Sequence, residues 1–154
     1  MQKLFMQEAL KLAKMAFLED EVPVGCVIVK DDHIIGKGYN KKEQSQNPLH
    51  HAEIIAIEEA SKHLGSWRLE NCEMYVTLEP CPMCAGAIIQ SRIKKVVFGA
   101  FDEKAGSFGT VFDINKIVGF NHYPEVEAGL MLIESRKLLQ EFFKNKRKKN
   151  NGKV

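Results

Sequence analysis

Apolar residues recur along this chain at two spacings, one typical of helices and one typical of strands. Near the start, Leu4, Phe5, Ala9 and Leu12 recur every three or four positions, which predicts an amphipathic helix. Short β-branched runs further along predict strands. In chain order the pattern predicts a helix over 2–18, strands over 22–29 and 34–39, a helix over 51–63, a strand over 74–78, a helix over 81–91, strands over 95–100 and 125–127, and a helix over 130–147.

Alternation of these helices and strands predicts an α/β fold with three layers. A mixed central sheet of about five strands is expected between helices on both faces. Residues 40–49 are polar and contain Pro48, which predicts a loop. No repeat or low-complexity linker divides the chain, so we predict a single domain over 1–147 and a basic, flexible tail over 148–154.

Composition is that of an ordinary water-soluble globular protein. Of the 154 residues, 45% are hydrophobic and 27% are charged. No apolar run approaches the roughly 20 residues that a membrane-spanning helix needs. The N-terminal residues lack the features of a signal peptide. We therefore expect a cytoplasmic protein with no membrane association.

Positive charge is concentrated at the C-terminal end. The net charge is only +2, but residues 136–154 hold eight lysines and arginines against one acid, Glu141. This segment therefore carries +7 and the rest of the chain carries −5. Such segregation is typical of a protein that binds a polyanion, and the alternative is a solvated end with no partner.

Two short motifs carry the candidate chemistry. His51-Ala52-Glu53 is followed, twenty-seven residues after Glu53, by Pro80-Cys81-Pro82-Met83-Cys84. One imidazole and two thiolates suit zinc, and three protein ligands leave a tetrahedral ion with one open position, as in catalytic sites. Cys81 and Cys84 alone also fit a redox dithiol, but the nearby His-x-Glu favours the metal.

With Glu53 included, the two motifs resemble the signature of zinc deaminases, H-x-E with P-C-x-x-C. The Glu53 carboxylate need not bind the metal and is free to carry protons between water, a ring nitrogen and a departing amine. A structural zinc site is the alternative, and it requires a fourth ligand. Five other histidines and cysteines are poorly placed for that role: His33, His50, His63, Cys26 and Cys72.

Beyond these motifs the chain resembles the bacterial tRNA-specific adenosine deaminases, which convert the wobble adenosine of an arginine tRNA with an ACG anticodon to inosine. The resemblance covers nearly the whole length. It rests on the segments 21–25, 38–40, 51–53, 75–88, 91–93, 97–100, 102–107, 121–122 and 142–143. Leu49-His50 and Phe101 depart from the residues that are usual in that family.

The resemblance implies a cytidine-deaminase-like fold, one Zn²⁺ per chain and a homodimer. It makes His51, Cys81 and Cys84 the zinc ligands and Glu53 the catalytic residue. It also implies that Asn40 hydrogen-bonds the flipped purine and that the Ala52 backbone N–H faces the reacting oxygen. By position, the residues similar to anticodon stem-loop contacts are Asp102, Lys104, Asn121, Phe143 and Arg147.

Two other functions fit the same motifs. A free-base or nucleoside deaminase, such as a guanine deaminase, can share the zinc ligands and also carry P-C-P-M-C, but has no use for a basic tail. A zinc-stabilised RNA-binding module without activity would need the metal but not Glu53. The metal ligands do not distinguish adenine from guanine or cytosine, because cytidine-deaminase-like enzymes share them.

Overall fold

A computed structural model describes residues 1–151 of the chain. Five helices and five strands follow one another with a short 3-10 helix between the last two strands. Their bounds are α1 Gln2–Leu18, β1 Gly25–Lys30, β2 His33–Tyr39, α2 Lys42–Ser45, α3 Ala52–Leu64, β3 Glu73–Leu78, α4 Pro82–Gln90, β4 Lys95–Ala100, the 3-10 helix Ile114–Lys116, β5 Glu125–Ala128 and α5 Leu132–Asn151.

The strands form one mixed sheet in the order β2-β1-β3-β4-β5. β1 pairs antiparallel with both β2 and β3, so the first half of the sheet is antiparallel. β3, β4 and β5 are parallel, and α4 makes the crossover from β3 to β4. The carboxyl end of β3 therefore leads directly into the segment that carries Cys81.

The central strands are apolar on both faces because helices cover both. Along β1, Cys26 and Ile28 belong to one buried cluster, while Val27 and Val29 belong to the other. This alternation follows from the two-residue period of a strand. One cluster packs beneath α3 and α4, and the second lies beneath α1. The arrangement confirms the predicted three-layer fold with a mixed sheet of five strands.

Most predicted elements agree with the structure, including the short fifth strand. The four-residue helix α2 lies inside the segment predicted as a loop over 40–49. The first strand begins at Gly25 rather than at residue 22. Helix α5 continues to Asn151, so residues 148–151 of the predicted flexible tail are helical, and residues 152–154 lie outside the described residues.

None of the helices within residues 1–151 combines the length and the apolar character that crossing a membrane requires.

Glycine on β2 allows α3 to lie directly against the sheet. A Cβ at Gly38 would overlap the carbonyl oxygen of Ala52 and would come within 2.8 Å of the Ala56 nitrogen. Both are backbone atoms of α3, so an added methyl group must push the helix away. We expect Gly38→Ala to lower the free energy of unfolding by about 1–3 kcal/mol, measured by denaturant unfolding.

Gly86 provides the matched control for this substitution. It lies on α4, and a Cβ there meets nothing within 4 Å. Because alanine is the better helix former, Gly86→Ala should be neutral or stabilise the fold by up to about 1 kcal/mol. Equal destabilisation by both substitutions would show that close packing beneath α3 is not the cause.

Candidate zinc centre and active site

Two helix N-termini bring the predicted ligands together. His51 is the N-cap of α3 and Cys81 is the N-cap of α4, where Pro82 occupies the first turn. Proline suits this position because its missing N–H has no partner in the first turn of a helix. Cys84 lies in the same first turn of α4 and is buried. The positive end of the helix dipole favours thiolates at these positions.

The ligand atoms of His51, Cys81 and Cys84 all lie within 4.8 Å of one another. The His51 Nδ1 atom is 3.6 Å from the Cys81 sulfur and 3.5 Å from the Cys84 sulfur. Within residues 1–151, no further histidine, cysteine or carboxylate joins these three residues as a fourth candidate ligand. Three ligands of this chemistry fit one zinc ion with a position left for water or substrate.

The two cysteines differ in their affinity for a proton. The pKa of the Cys81 thiol is lowered to about 4, because the Cys84 thiol hydrogen-bonds to it and His51 lies beside it. The pKa of Cys84 is raised by its hydrogen bond with Cys81 and by burial. Cys84 therefore keeps its proton more strongly than Cys81 does. Zinc takes cysteines as thiolates, so metal binding at this cluster releases that proton.

Glu53 lies on the first turn of α3 with only 4% of its surface exposed. Burial raises the pKa of its carboxyl to about 7. A carboxyl group with such a pKa can both take up and release a proton near neutral pH. The Glu53 carboxylate raises the pKa of Cys84, so Glu53 lies beside the cluster of His51, Cys81 and Cys84.

Asn40 follows β2, and its side-chain oxygen is buried. Within the described chain this Oδ1 atom accepts no hydrogen bond. A buried amide oxygen without a donor is uncommon, because leaving it unsatisfied costs about 1–3 kcal/mol. Asn40 is thus suited to receive a donor from a bound molecule.

Residues 1–100 match the cytidine and deoxycytidylate deaminase zinc-binding region. Over 150 residues the chain is 49% identical to the tRNA-specific adenosine deaminase of Bacillus subtilis (strain 168), an alignment that covers 97% of this chain and 93% of that protein. The chain belongs to the tRNA-specific adenosine deaminase family.

Solved structures of deaminases share the fold of this chain. One, from a study of A-to-I editing by tRNA:A34 deaminases at the wobble position of transfer RNA, has a TM-score of 0.83 and 39% identity and covers 88% of this chain and 98% of that chain. A guanine deaminase from Bacillus subtilis has a TM-score of 0.61 and 31% identity over 75% of this chain and 85% of that chain. The cytidine-deaminase-like fold and the zinc cofactor are thereby confirmed.

The remaining predicted contacts of this deaminase lie on exposed segments. Asp102 and Lys104 lie in the loop after β4, and Asn121 is exposed in the segment before β5. On α5, Phe143 is 45% exposed, while its neighbour Phe142 is buried and packs against the fold. Arg147 is also exposed on α5. The structure does not bring these five into the cluster of His51, Cys81 and Cys84, and their contacts with RNA stay predictions.

Two buried glutamates of the deaminase were not singled out from the sequence. The Glu21 carboxylate accepts hydrogen bonds from the backbone nitrogens of Glu43 and Gln44, at 3.0 and 2.8 Å. These bonds anchor the loop between Asn40 and His51. Glu79 plays a similar part for the loop after β4. Their partners are backbone amides distant in sequence, so no spacing of side chains could reveal either role.

Proposed function

We propose that this deaminase converts adenosine at the wobble position of a tRNA anticodon to inosine, with an arginine tRNA carrying the ACG anticodon as substrate. The reaction adds water to the adenine ring and releases ammonia. The observation that carries the proposal is a three-ligand cluster beside a buried glutamate, in a chain 49% identical to a tRNA-specific adenosine deaminase.

In this proposal His51, Cys81 and Cys84 hold the zinc ion. Zinc held there would act as a Lewis acid. It would lower the pKa of water to about 7 and so make a nucleophile available at neutral pH. Glu53 accepts a proton of the attacking water and delivers it to a ring nitrogen of the purine. It then carries the second proton of that water to the departing amine, which leaves as ammonia. Burial of Glu53 keeps its proton from exchanging with bulk solvent during these steps.

The neighbouring groups orient the purine. The unpartnered Oδ1 atom of Asn40 is available to a donor on the base. Ala52 is buried at the first position of α3, where its backbone N–H lacks an intrahelical acceptor and can face the reacting oxygen. An unpaired loop base reaches such a site at little cost, because no base pair has to open.

Basic and aromatic groups on α5 support RNA as the substrate. Phe143 and Arg147 are exposed on this helix, and the surrounding residues are rich in lysine. Exposed aromatic rings stack on bases, and lysine and arginine side chains neutralise phosphates. With Asp102, Lys104 and Asn121, they form the proposed contact surface for the anticodon stem-loop.

The first test uses transcribed arginine tRNA with an ACG anticodon. We expect inosine at the wobble position, detected by sequencing of the complementary DNA as an A-to-G change. Guanine and cytidine are incubated in parallel with the same zinc-loaded protein, and release of ammonia is measured. Ammonia from guanine without inosine in the tRNA would replace the proposal by a guanine deaminase, the function of the Bacillus subtilis structural relative.

We also infer that the chain forms a homodimer in the cytoplasm. Exposed large apolar side chains are concentrated between β4 and β5, and such exposure is typical of an interface. They include Val111, Phe112, Ile117, Val118, Phe120 and Tyr123. Light scattering after size-exclusion chromatography should give twice the 17.5 kDa mass of the chain. A mass of one chain at micromolar concentration would contradict the dimer.

A further inference from the structure

Glu79 is a charged residue buried at the centre of a loop rather than beside a cation. It lies between β3 and Cys81, with 1% of its surface exposed. Its carboxylate accepts hydrogen bonds from the backbone nitrogens of Asp102, Phe108 and Thr110, at 3.1, 3.0 and 3.2 Å. The Thr110 hydroxyl donates a fourth. All four donors belong to residues 102–110, which we name the β4 loop.

The β4 loop is closed tightly around this carboxylate. A Cβ at Gly106 would overlap the Glu79 Oε1 atom, so only glycine fits there. The Ser107 nitrogen donates to the Pro80 carbonyl oxygen at 3.0 Å, which adds a backbone link to the segment before Cys81. No ion pair within residues 1–151 involves Glu79. Its buried charge is therefore stabilised by the β4 loop, and the shape of that loop depends on the charge.

The hydrogen bonds continue outward from Glu79 to the surface. The Asp102 side chain accepts from the backbone nitrogens of Lys104 and Ala105, at 3.0 and 3.2 Å. Asp102 thus uses its own amide to reach Glu79 and its carboxylate to turn the chain toward Lys104. This series of hydrogen bonds holds the exposed part of the β4 loop in place. Glu79 itself is too deeply buried to contact a macromolecule.

We propose that Glu79 is a positioning residue for substrate recognition, which holds the β4 loop in the shape that binds RNA. It takes no part in the proton transfers assigned to Glu53. This inference rests on the proposed function, because it takes RNA to be the molecule that Asp102 and Lys104 contact. The segment around Cys81 thus has a second role, positioning of the β4 loop, besides metal binding.

The test replaces Glu79 by glutamine, which keeps the shape and exchanges one acceptor oxygen for an N–H donor. Backbone N–H groups of the β4 loop would then face a donor. In the zinc-loaded protein, hydrogen exchange at the amides of Asp102, Phe108 and Thr110 should become at least about tenfold faster. The Kd for an ACG anticodon stem-loop should rise about tenfold, since loss of a charge-assisted hydrogen bond has effects of this size.

The rate of the chemical step should be unchanged if Glu79 only positions the loop. We expect kcat at saturating RNA within about threefold of the wild-type value and an increase mainly in KM, because the proton carrier is untouched. The zinc content should stay at one ion per chain. Loss of zinc, or a lower kcat with an unchanged Kd for RNA, would overturn the proposal.

Two further variants separate the loop from general effects of charge and folding. Glu103→Gln removes the same charge from an exposed position of the same loop, so exchange and RNA affinity should change less than about twofold. Thr110→Val removes one donor only and should weaken RNA binding less than Glu79→Gln, while Thr110→Ser should restore it. If Glu103→Gln weakens RNA binding as strongly as Glu79→Gln, net charge is the cause and the proposal fails.

Amide hydrogen exchange and RNA affinity also test this proposal separately from the proposed function. If the wild-type protein neither binds nor deaminates the RNA, the proposed function fails. Amide exchange in Glu79→Gln then still decides whether the carboxylate orders the loop. If exchange at the three amides is unchanged in that variant, Glu79 does not position the loop, whatever the wild-type protein does with RNA.

Discussion

Glu53→Gln is expected to reduce deamination of the ACG tRNA by about a thousandfold or more, because a neutral amide cannot carry the protons of the reaction. The substitution preserves the size of a side chain that is almost fully buried, so the packing of α3 should survive. Single-turnover kinetics with excess enzyme measures the effect without interference from product release. Zinc content and RNA affinity should match those of the wild-type protein.

The control for this substitution lies on the same helix. Glu58 is exposed, and Glu58→Gln should leave turnover unchanged. A Glu53→Gln protein that retains more than about a tenth of the wild-type rate would exclude Glu53 as the proton carrier. Persistent RNA binding with no measurable role for Glu53 would favour the alternative of a zinc-stabilised RNA-binding module.

Cys81→Ala is expected to abolish both zinc binding and activity. Only two ligands remain after this change, and the lost donor is the thiolate with the lowest pKa in the cluster. Zinc measured by mass spectrometry should fall from one ion per chain to near zero after dialysis against a chelator. The melting temperature should fall too, because metal that binds only the folded state contributes to stability.

Cys72 offers a comparison that separates the metal from the loss of a thiol. Cys72 is buried and lies outside the cluster around His51. Cys72→Ala should therefore retain zinc and activity. If Cys81→Ala keeps a full equivalent of zinc, the assignment of His51, Cys81 and Cys84 as the metal ligands is wrong.

The chemistry was predictable from sequence because it is encoded in short, regular spacings. Cys81 and Cys84 fall within one helical turn, and the His-x-Glu motif puts a ligand and a carboxylate on the first turn of another helix. Short β-branched runs likewise predicted the sheet, since β1 is buried on both faces and is therefore almost continuously apolar.

Other features depend on contacts that no local pattern contains. Helix α2 has four residues, which is too short for a periodicity, and it is anchored by Glu21 from a distant part of the chain. The last turns of α5 are polar on all sides, so no apolar stripe marks where the helix ends. The loop around Glu79 is ordered by backbone donors, whose pairing is invisible in the residue types.

The mixed sheet also has a consequence for the order in which the protein folds. His51 belongs to the half built on the β1–β2 hairpin, whereas both cysteines follow β3, and the two halves join through the antiparallel pairing of Cys26 with Val76 and its neighbours. A nascent chain that ends at α3 has the imidazole but neither thiol. Tight metal binding therefore requires that strands some fifty positions apart in sequence pair first. The formation of such a long-range contact is a slow step in folding. Zinc uptake by the growing chain therefore reports that both halves of the sheet have joined.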